Sequence, residues 1–342
     1  MLLSNLFNLP TFQAVQLTAV VERIAYQPSM LGAFGPALFT VSSSSTRQIA
    51  MAQSEGVLSL IPTSPIGAPP VELEKKPSDL RSFIIHRLAK GSTLMAESLT
   101  GLMLAPDFQQ IAMVQQELAN RSAKIRTDLE FTQEYMRLGA VLGRVLDADG
   151  SVLDDFWQSW GVPLPAWIDF PLNDPAANLR MLLRQLTRDV ERTSQGGWIP
   201  GRTQLHAICG AEFYERLLTH PKVEQTYLNW SAAADLRSQI LDQFPFGGVV
   251  WHDYRGTDDG TTMAIAGNEA HFFPVGANEA FRQIWGPAEF DPFINLPGRD
   301  IYALTIPDRD RGAWVRFEAY NYPLFVCSRP DMLRRGRISD TA

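Results

Sequence analysis

Between Asp107 and about Asp147, apolar residues recur at Phe108, Ile111, Val114, Leu118, Ile125, Leu129, Met136 and Ala140. Intervals of three, four and seven place them on one face of a helix. Pro106 suits the first turn, the next proline is Pro163, and Asp149-Gly150 closes the run with a turn signal. The pattern predicts one helix of about 40 residues, roughly 60 Å long. A compact globule of 342 residues would be only about 52 Å across. The helix is therefore expected to be the strut of a flat or elongated molecule. The alternative is two shorter helices, broken near Asn120-Arg121-Ser122 or at Gly139.

Residues 1–47 sustain no such period: short apolar clusters give way to Pro28, Gly32, Gly35 and Pro36, then to the polar run 42–45. A segment of this kind cannot bury a core of its own, and is expected to be a partly disordered tail or an arm packed on something else. Strand-like runs follow at 48–61 and 80–88, joined by a connection rich in turn formers over 62–77, too long for a tight hairpin. They predict a long two-stranded flap. Such a ribbon is only marginally stable alone in water, so it is expected to lie on a partner.

Beyond the long helix, residues 141–146 and 152–157 flank Asp147-Ala148-Asp149-Gly150-Ser151, as a hairpin or as a helix end followed by a strand. Leu179, Leu182, Leu183, Leu186 and Val190 mark a shorter amphipathic helix over 178–191, ending near Gly196-Gly197. A compact α/β segment comes next, with strands at 205–209, 248–254 and 272–275, helices at 211–218 and 221–228, and a helical turn at 279–285. Residues 301–306 and 314–319 lie either side of a hairpin signal at 307–312, and 324–327 add a last strand. No internal repeat is visible.

With 45% hydrophobic and 20% charged residues, the composition is that of an ordinary soluble globular protein and excludes disorder throughout. No run approaches the ~18 apolar residues of a membrane span, and the N-terminus lacks the basic start of a secretory signal. The chain is expected to act where it is made, without membrane contact. Cys209 and Cys327, with no CxxC, make neither a disulfide framework nor a thiolate zinc site, which fits a reducing interior. The formal charge of −7, from 30 basic and 37 acidic residues, is not the footprint of a nucleic-acid binder, so contact with nucleic acid should be weak. Only five of the basic residues are lysines, Lys75, Lys76, Lys90, Lys124 and Lys222. Interfaces favour arginine over lysine, although genomic base composition explains the bias equally well.

Candidate chemistry is sparse. His86, His206, His220, His252 and His271 form no metal-ligand spacing. Asp147-x-Asp149-Gly150 resembles a calcium loop, but the glycine comes two places early and Gln158 stands where the bidentate acid belongs, which favours a plain turn. His206 and Cys209 lie three apart on a predicted strand, hence on opposite faces, and a buried structural cysteine is the expected outcome. There is no Gly-rich phosphate loop. The pairs Asp154-Asp155 and Asp258-Asp259 read as solvated loop charges, and the clusters Phe156, Trp157, Trp160 and Phe244, Phe246, Trp251 as core. No catalytic, cofactor-binding or metal-binding residue is nominated.

The last third carries motifs in a specific order. His271-Phe272-Phe273-Pro274-Val275-Gly276 leads to Phe281 and Gly286-Pro287-Ala288, then to Gly298-Arg299-Asp300-Ile301-Tyr302 and Gly312-Ala313-Trp314. Tyr320-Asn321-Tyr322-Pro323-Leu324 and Cys327-Ser328-Arg329-Pro330-Asp331 close the series. Together with the order of arm, flap, long helix, α/β segment and returning strands, these resemble the lambda-like major capsid protein E family of tailed phages, which has the HK97-type fold. That family has an FP-x-G loop before a short helix and a polar-polar-x-Pro-Leu strand followed by an Arg-Pro-Asp/Glu close. Upstream, Ala207-Ile208-Cys209-Gly210 before Phe213 and Leu217 resembles its strand, turn and helix.

The resemblance implies an α+β, HK97-type capsid fold with an N-terminal arm (1–47), an extended β-hairpin loop (48–100) and a peripheral β domain with a long spine helix (101–200). An axial α/β domain (201–295) and C-terminal strands returning to the peripheral domain (296–342) complete it. It implies a major capsid protein, not an enzyme, that self-assembles as hexamers and pentamers into the icosahedral head of a tailed phage or prophage, enclosing double-stranded DNA through weak non-specific contact. Scaffolding, portal and decoration proteins are the implied partners, and the virion, assembled in the host cytoplasm, the implied location. The rival readings are an encapsulin-like compartment shell and, from a different class, a cytosolic α/β hydrolase using Cys209 as nucleophile.

Overall fold

The computed structural model describes residues 30–53, 79–95, 107–228, 243–257, 263–311 and 313–339, with backbone alone for 52–53, 79, 107–116, 118 and 227–228. The described chain opens with a short helix α1 (Met30–Ala33), then β1 (Phe39–Ser43), the ribbon strands β2 (Gln48–Gln53) and β3 (Asp79–Ile84), and β4 (Leu88–Met95). The long helix α2 (Asp107–Leu142) leads to β5 (Arg144–Leu146), β6 (Val152–Asp155), α3 (Phe156–Trp160), β7 (Trp167–Phe170) and α4 (Leu179–Thr193). Next come β8 (Gln204–Cys209), α5 (Ala211–Thr219), α6 (Pro221–Leu228), β9 (Gln243–Phe246), β10 (Val249–Asp253) and β11 (Glu269–Val275). The chain finishes with β12 (Phe281–Trp285), β13 (Tyr302–Pro307), β14 (Trp314–Asn321), β15 (Pro323–Cys327) and β16 (Arg334–Ile338).

Helix α2 runs unbroken for 36 residues, roughly 54 Å. Of the predicted apolar stripe, Ile125, Leu129, Met136 and Ala140 are buried; Phe108, Ile111, Val114 and Leu118 lie outside the described side chains. Neither suspected break interrupts it. Gly139 has a packing role instead: a Cβ there would sit 2.6 Å from the Arg144 carbonyl oxygen and 2.8 Å from Val145 Cα, so its absence lets β5 fold back onto the helix. The helix ends at Gly143, whose φ of +87° suits a C-terminal cap. Of the two alternatives for 141–157, the hairpin forms, as β5 pairs antiparallel with β6.

A six-stranded mixed sheet, ordered β7-β16-β11-β8-β10-β9, forms the central layer. Alternation along its strands sends side chains to two different cores. Leu205, Ala207 and Cys209 of β8, Trp251 of β10 and Phe272 of β11 pack beneath α4, α5 and α6, against Leu183, Val190, Phe213 and Leu217. From the other face, Ile208 and Phe273 join a larger core with Met136 and Val141 of α2, Phe281 of β12 and Phe325 of β15. A three-stranded sheet, β1-β12-β15, lies in that second core, and another, β13-β14-β4, contacts α2.

Two expectations change. Residues 279–285 do not form a helical turn: after Glu279, whose φ is +52°, residues 281–285 become strand β12, paired parallel with β1 and antiparallel with β15. Pairing on both edges outweighs the weak local helical signal. The arm is also less independent than its composition suggests, since Leu31, Leu38 and Phe39 are buried in the larger core; residues 1–29 lie outside the described part.

Strand β16, Arg334-Arg335-Gly336-Arg337-Ile338, has no obvious strand signal, yet it sits between β7 and β11. Gly336 makes this possible, because a Cβ there would meet the Phe170 ring at 2.6 Å. The flanking arginines lay their stems along the sheet and carry their charge outward, Arg335 over the Trp167 ring at 4.4 Å and Arg337 to Asp169 at 2.7 Å.

Candidate assembly surfaces

In the ribbon, β2 pairs antiparallel with β3 from Gln48↔Ile84 to Gln53↔Asp79, and neither strand has a third neighbour among the described residues. Alternation gives β3 two unlike faces. Phe83 is buried against Phe156 and Trp160, with ring centroids 6.1 and 5.7 Å away, and anchors the base of the ribbon. Leu80 and Ile84 point the other way and are 65% and 64% exposed. Just beyond, His86 Nε2 lies 2.8 Å from Asp154, and Arg47 and Arg87 both reach Glu289, at 3.4 and 2.8 Å. The flap is thus clamped at its root and apolar beyond it; the predicted strand residues 54–61 lie outside the described part.

The spine helix is interrupted on its buried side by Arg126, Glu130, Gln133, Glu134 and Arg137. Arg126 donates to Glu130 at 2.5 Å, Gln133 to Asp300 at 3.3 Å, and Arg137 to Gln133 and Glu134 at 3.1 and 3.4 Å. Burial pushes both the Glu130 and the Asp300 carboxyls above their ordinary range, against the pull of the neighbouring arginines. Asp300, from the Gly298-Arg299-Asp300-Ile301-Tyr302 motif, is therefore the partner that motif offers the spine. Glu134 reaches furthest, accepting the backbone N–H of Leu31 at 2.6 Å and of Gly32 at 3.1 Å.

Next to this docking point, the Phe34 ring stands edge-on to His206 and His252, at 5.2 and 5.5 Å. The two imidazoles are stacked, with His206 Nδ1 2.9 Å from His252 Nε2, so one donates and the other accepts. Burial pushes His252 down to about 4; burial together with His252 pushes His206 down to about 3. The pair is neutral near pH 7. Neither Glu134 nor Phe34 is marked by any motif; the one signal was a run of polar residues at three- and four-residue intervals where the helix should be apolar.

The remaining sequence candidates fall into structural places. Cys209 is wholly buried beneath the helices, and burial raises its thiol well above the ordinary range, with Asp253 acting in the same direction. His206 lies on the opposite sheet face, as the three-residue spacing predicted, so the two make no nucleophile–base pair. Asp147 to Ser151 form the β5–β6 turn, with Gly150 donating its N–H to the Asp147 carbonyl at 2.9 Å. Asp154 and Asp155 are not solvated loop charges: Asp154 holds His86, and Asp155 caps α3 through the Gln158 N–H and pairs with Arg144. Asp258 and Asp259 lie outside the described residues. The two aromatic clusters are core, as expected. Arg329 and Asp331 of the closing motif bind the end of α4, Arg329 donating to the Ser194 carbonyl at 2.7 Å and the Asp331 carbonyl accepting from Thr193 at 2.9 Å.

A two-sided sheet, a spine helix packed beside it and a clamped, open-edged ribbon define the HK97-type class of capsid proteins. The fold matches a protein assigned to the capsid of an E. coli CFT073 prophage, with a TM-score of 0.53, 15% identity, and 96% of this chain and 99% of that one covered. It also matches the mature capsid of bacteriophage PhiM1, with a TM-score of 0.51 at 11% identity over 93% and 89% of the two chains. Within that class, residues 13–338 match the model of the phage major capsid protein E family, and the chain belongs to this family of structural proteins. The major capsid protein of Salmonella phage Felix O1 is 26% identical over 245 residues, 63% of this chain and 66% of its own length. By family this is a phage major capsid protein.

Proposed function

We propose that copies of this chain close, as hexamers and pentamers, into the icosahedral head of a tailed phage or prophage, and that the head encloses double-stranded DNA. The ribbon carries this reading. Two strands with no third neighbour among the described residues, and with Leu80 and Ile84 in water, are only marginally stable alone and invite pairing. In a closed symmetric shell every copy finds the same cover on its neighbour. In this reading the arm (1–47), the extended loop (48–100) and the spine within 101–200 make contacts between copies. Residues 201–295 gather around the five- and six-fold axes, and 296–342 return to the peripheral domain.

The subunit has no catalytic task. Scaffolding, portal and decoration proteins are its further partners, assembly takes place in the host cytoplasm, and the virion is its destination. A net charge of −7 keeps the wall as a whole from trapping DNA. Negative-stain microscopy of the protein, co-expressed with a scaffold, is expected to show polyhedral shells. A single 38.2 kDa species at every concentration, with and without scaffold, would overturn the reading. Cys209→Ala should assemble like the parent, whereas a hydrolase using that thiol would lose turnover.

A further inference from the structure

Helix α4 carries Arg180, Arg184, Arg188 and Arg192, each four residues from the next and all exposed. Its buried Leu179, Leu183, Leu186 and Val190 fix them on the solvent side. Like charges four apart on a helix repel, so the row works against the element that bears it unless an anion offsets it. The helix offers little offset of its own. Asp189 is taken by Arg334 at 2.7 Å, which leaves Glu191 as the remaining acid of α4. Arg180 donates to Thr226 of α6 at 2.8 Å and lines, with Lys222, a recess of about 420 Å³ that prolongs the basic face. Five cations are thus gathered on one side of a chain whose net charge is −7.

Successive arginines step about 6 Å along the axis, and the row is about 18 Å long. One strand of duplex DNA presents a phosphate every ~3.4 Å of its axis, so the row spans about five. We infer that this face of α4, with Lys222, is a contact for the phosphate backbone of duplex DNA. The inference rests on the reading that the shell encloses such DNA, and names the surface that touches it. Guanidinium forks match phosphate oxygens, and a row of them positions the duplex without reading its sequence. A local basic face on an acidic wall holds DNA weakly and reversibly.

The test is a native gel shift of the purified full chain with a mixed-sequence duplex of roughly 30 bp. Between about 50 and 200 mM salt, five phosphate contacts should cost the parent about 500-fold in affinity. Arg184→Gln with Arg188→Gln should bind more weakly at low salt and lose only about 40-fold over the same range. The corresponding double lysine variant should keep the parental slope. An unchanged slope in the double glutamine variant overturns the inference. So does a parent that fails to bind duplex while the glutamine variant fails to form shells, which would assign the row to an acidic face of a second copy. Shells are scored separately by negative stain: normal shells with lost DNA binding leave the shell reading intact, and absent parental shells count against that reading alone. An unchanged thermal transition shows that the substitutions leave the fold in place.

Discussion

The carboxylate of Glu134, in the last third of the spine helix, holds the backbone N–H of Leu31 at 2.6 Å across 103 residues of sequence. Its second oxygen takes the Gly32 N–H, and Arg137 lies beside it. One side chain thereby satisfies the start of α1 and ties the arm to the spine. Glu134→Ala should leave those N–H groups and the Arg137 cation short of a partner and cost about 2–4 kcal/mol. Glu134→Gln, which keeps an acceptor, should cost less. Urea midpoints report the cost, and limited proteolysis near residues 30–34 should cut the alanine variant first.

The stacked pair His206 and His252 predicts an acid-sensitive fold. Their pKa values in the folded chain, about 3 and about 4, lie below the ordinary 6.5. Between those values the unfolded chain binds more protons, so this contribution is present above pH ~6.5 and is lost as pH falls toward ~4, at most about 2.7 kcal/mol per pH unit for two protons. The raised Glu130 and Asp300 carboxyls act in the opposite sense. The informative quantity is therefore a difference: with His206 and His252 both replaced by Asn, stability measured from pH 7 to 4.5 should fall less steeply than in the parent.

Gly139→Ala tests whether packing or helix propensity governs the end of the spine. Propensity alone favours alanine by about 1 kcal/mol. The missing Cβ is what admits the Arg144 carbonyl, however, with only 2.6 Å available. The substitution should destabilise by about 1–3 kcal/mol through overpacking. A raised melting temperature would refute the packing argument.

Leu80 and Ile84 separate folding from assembly. Leu80→Ser with Ile84→Ser removes exposed side chains, so the unfolding free energy of the isolated chain should change by less than about 0.5 kcal/mol per site. Shell yield on microscopy grids should fall sharply. Equal yields from variant and parent would remove the ribbon from the assembly contacts.

Much of the fold was legible because it is local. The spine, the helix over Leu179–Thr193, strand β8 and the β13–β14 hairpin all follow from periods of 3.6 or 2 and from turn formers, and each is present. The aromatic clusters were correctly placed in the core. Strands β1, β4, β7, β9 and β16 were not foreseen; β16, with three arginines and a glycine in five residues, is stabilised by its neighbours and not by its own residues. Gly336 shows why: its lack of a Cβ gains meaning only once Phe170 and Phe272 close on it from either side. The same holds for the candidate surface. The ribbon was visible as a pattern, whereas the Glu134 dock and the histidine pair were not.

By itself, the sequence determined the spine helix, the helix over Leu179–Thr193 and the ribbon, that Cys209 and His206 would face apart, and, through its ordered C-terminal motifs, the family. Periodicity is enough for this, since it records which face each residue presents. Only the tertiary structure decided which charges meet, which edges are paired and where the arm lies. Those outcomes depend on groups more than a hundred residues apart, such as Glu134 and Leu31, whose attraction exists only after the chain has folded and excluded the water between them.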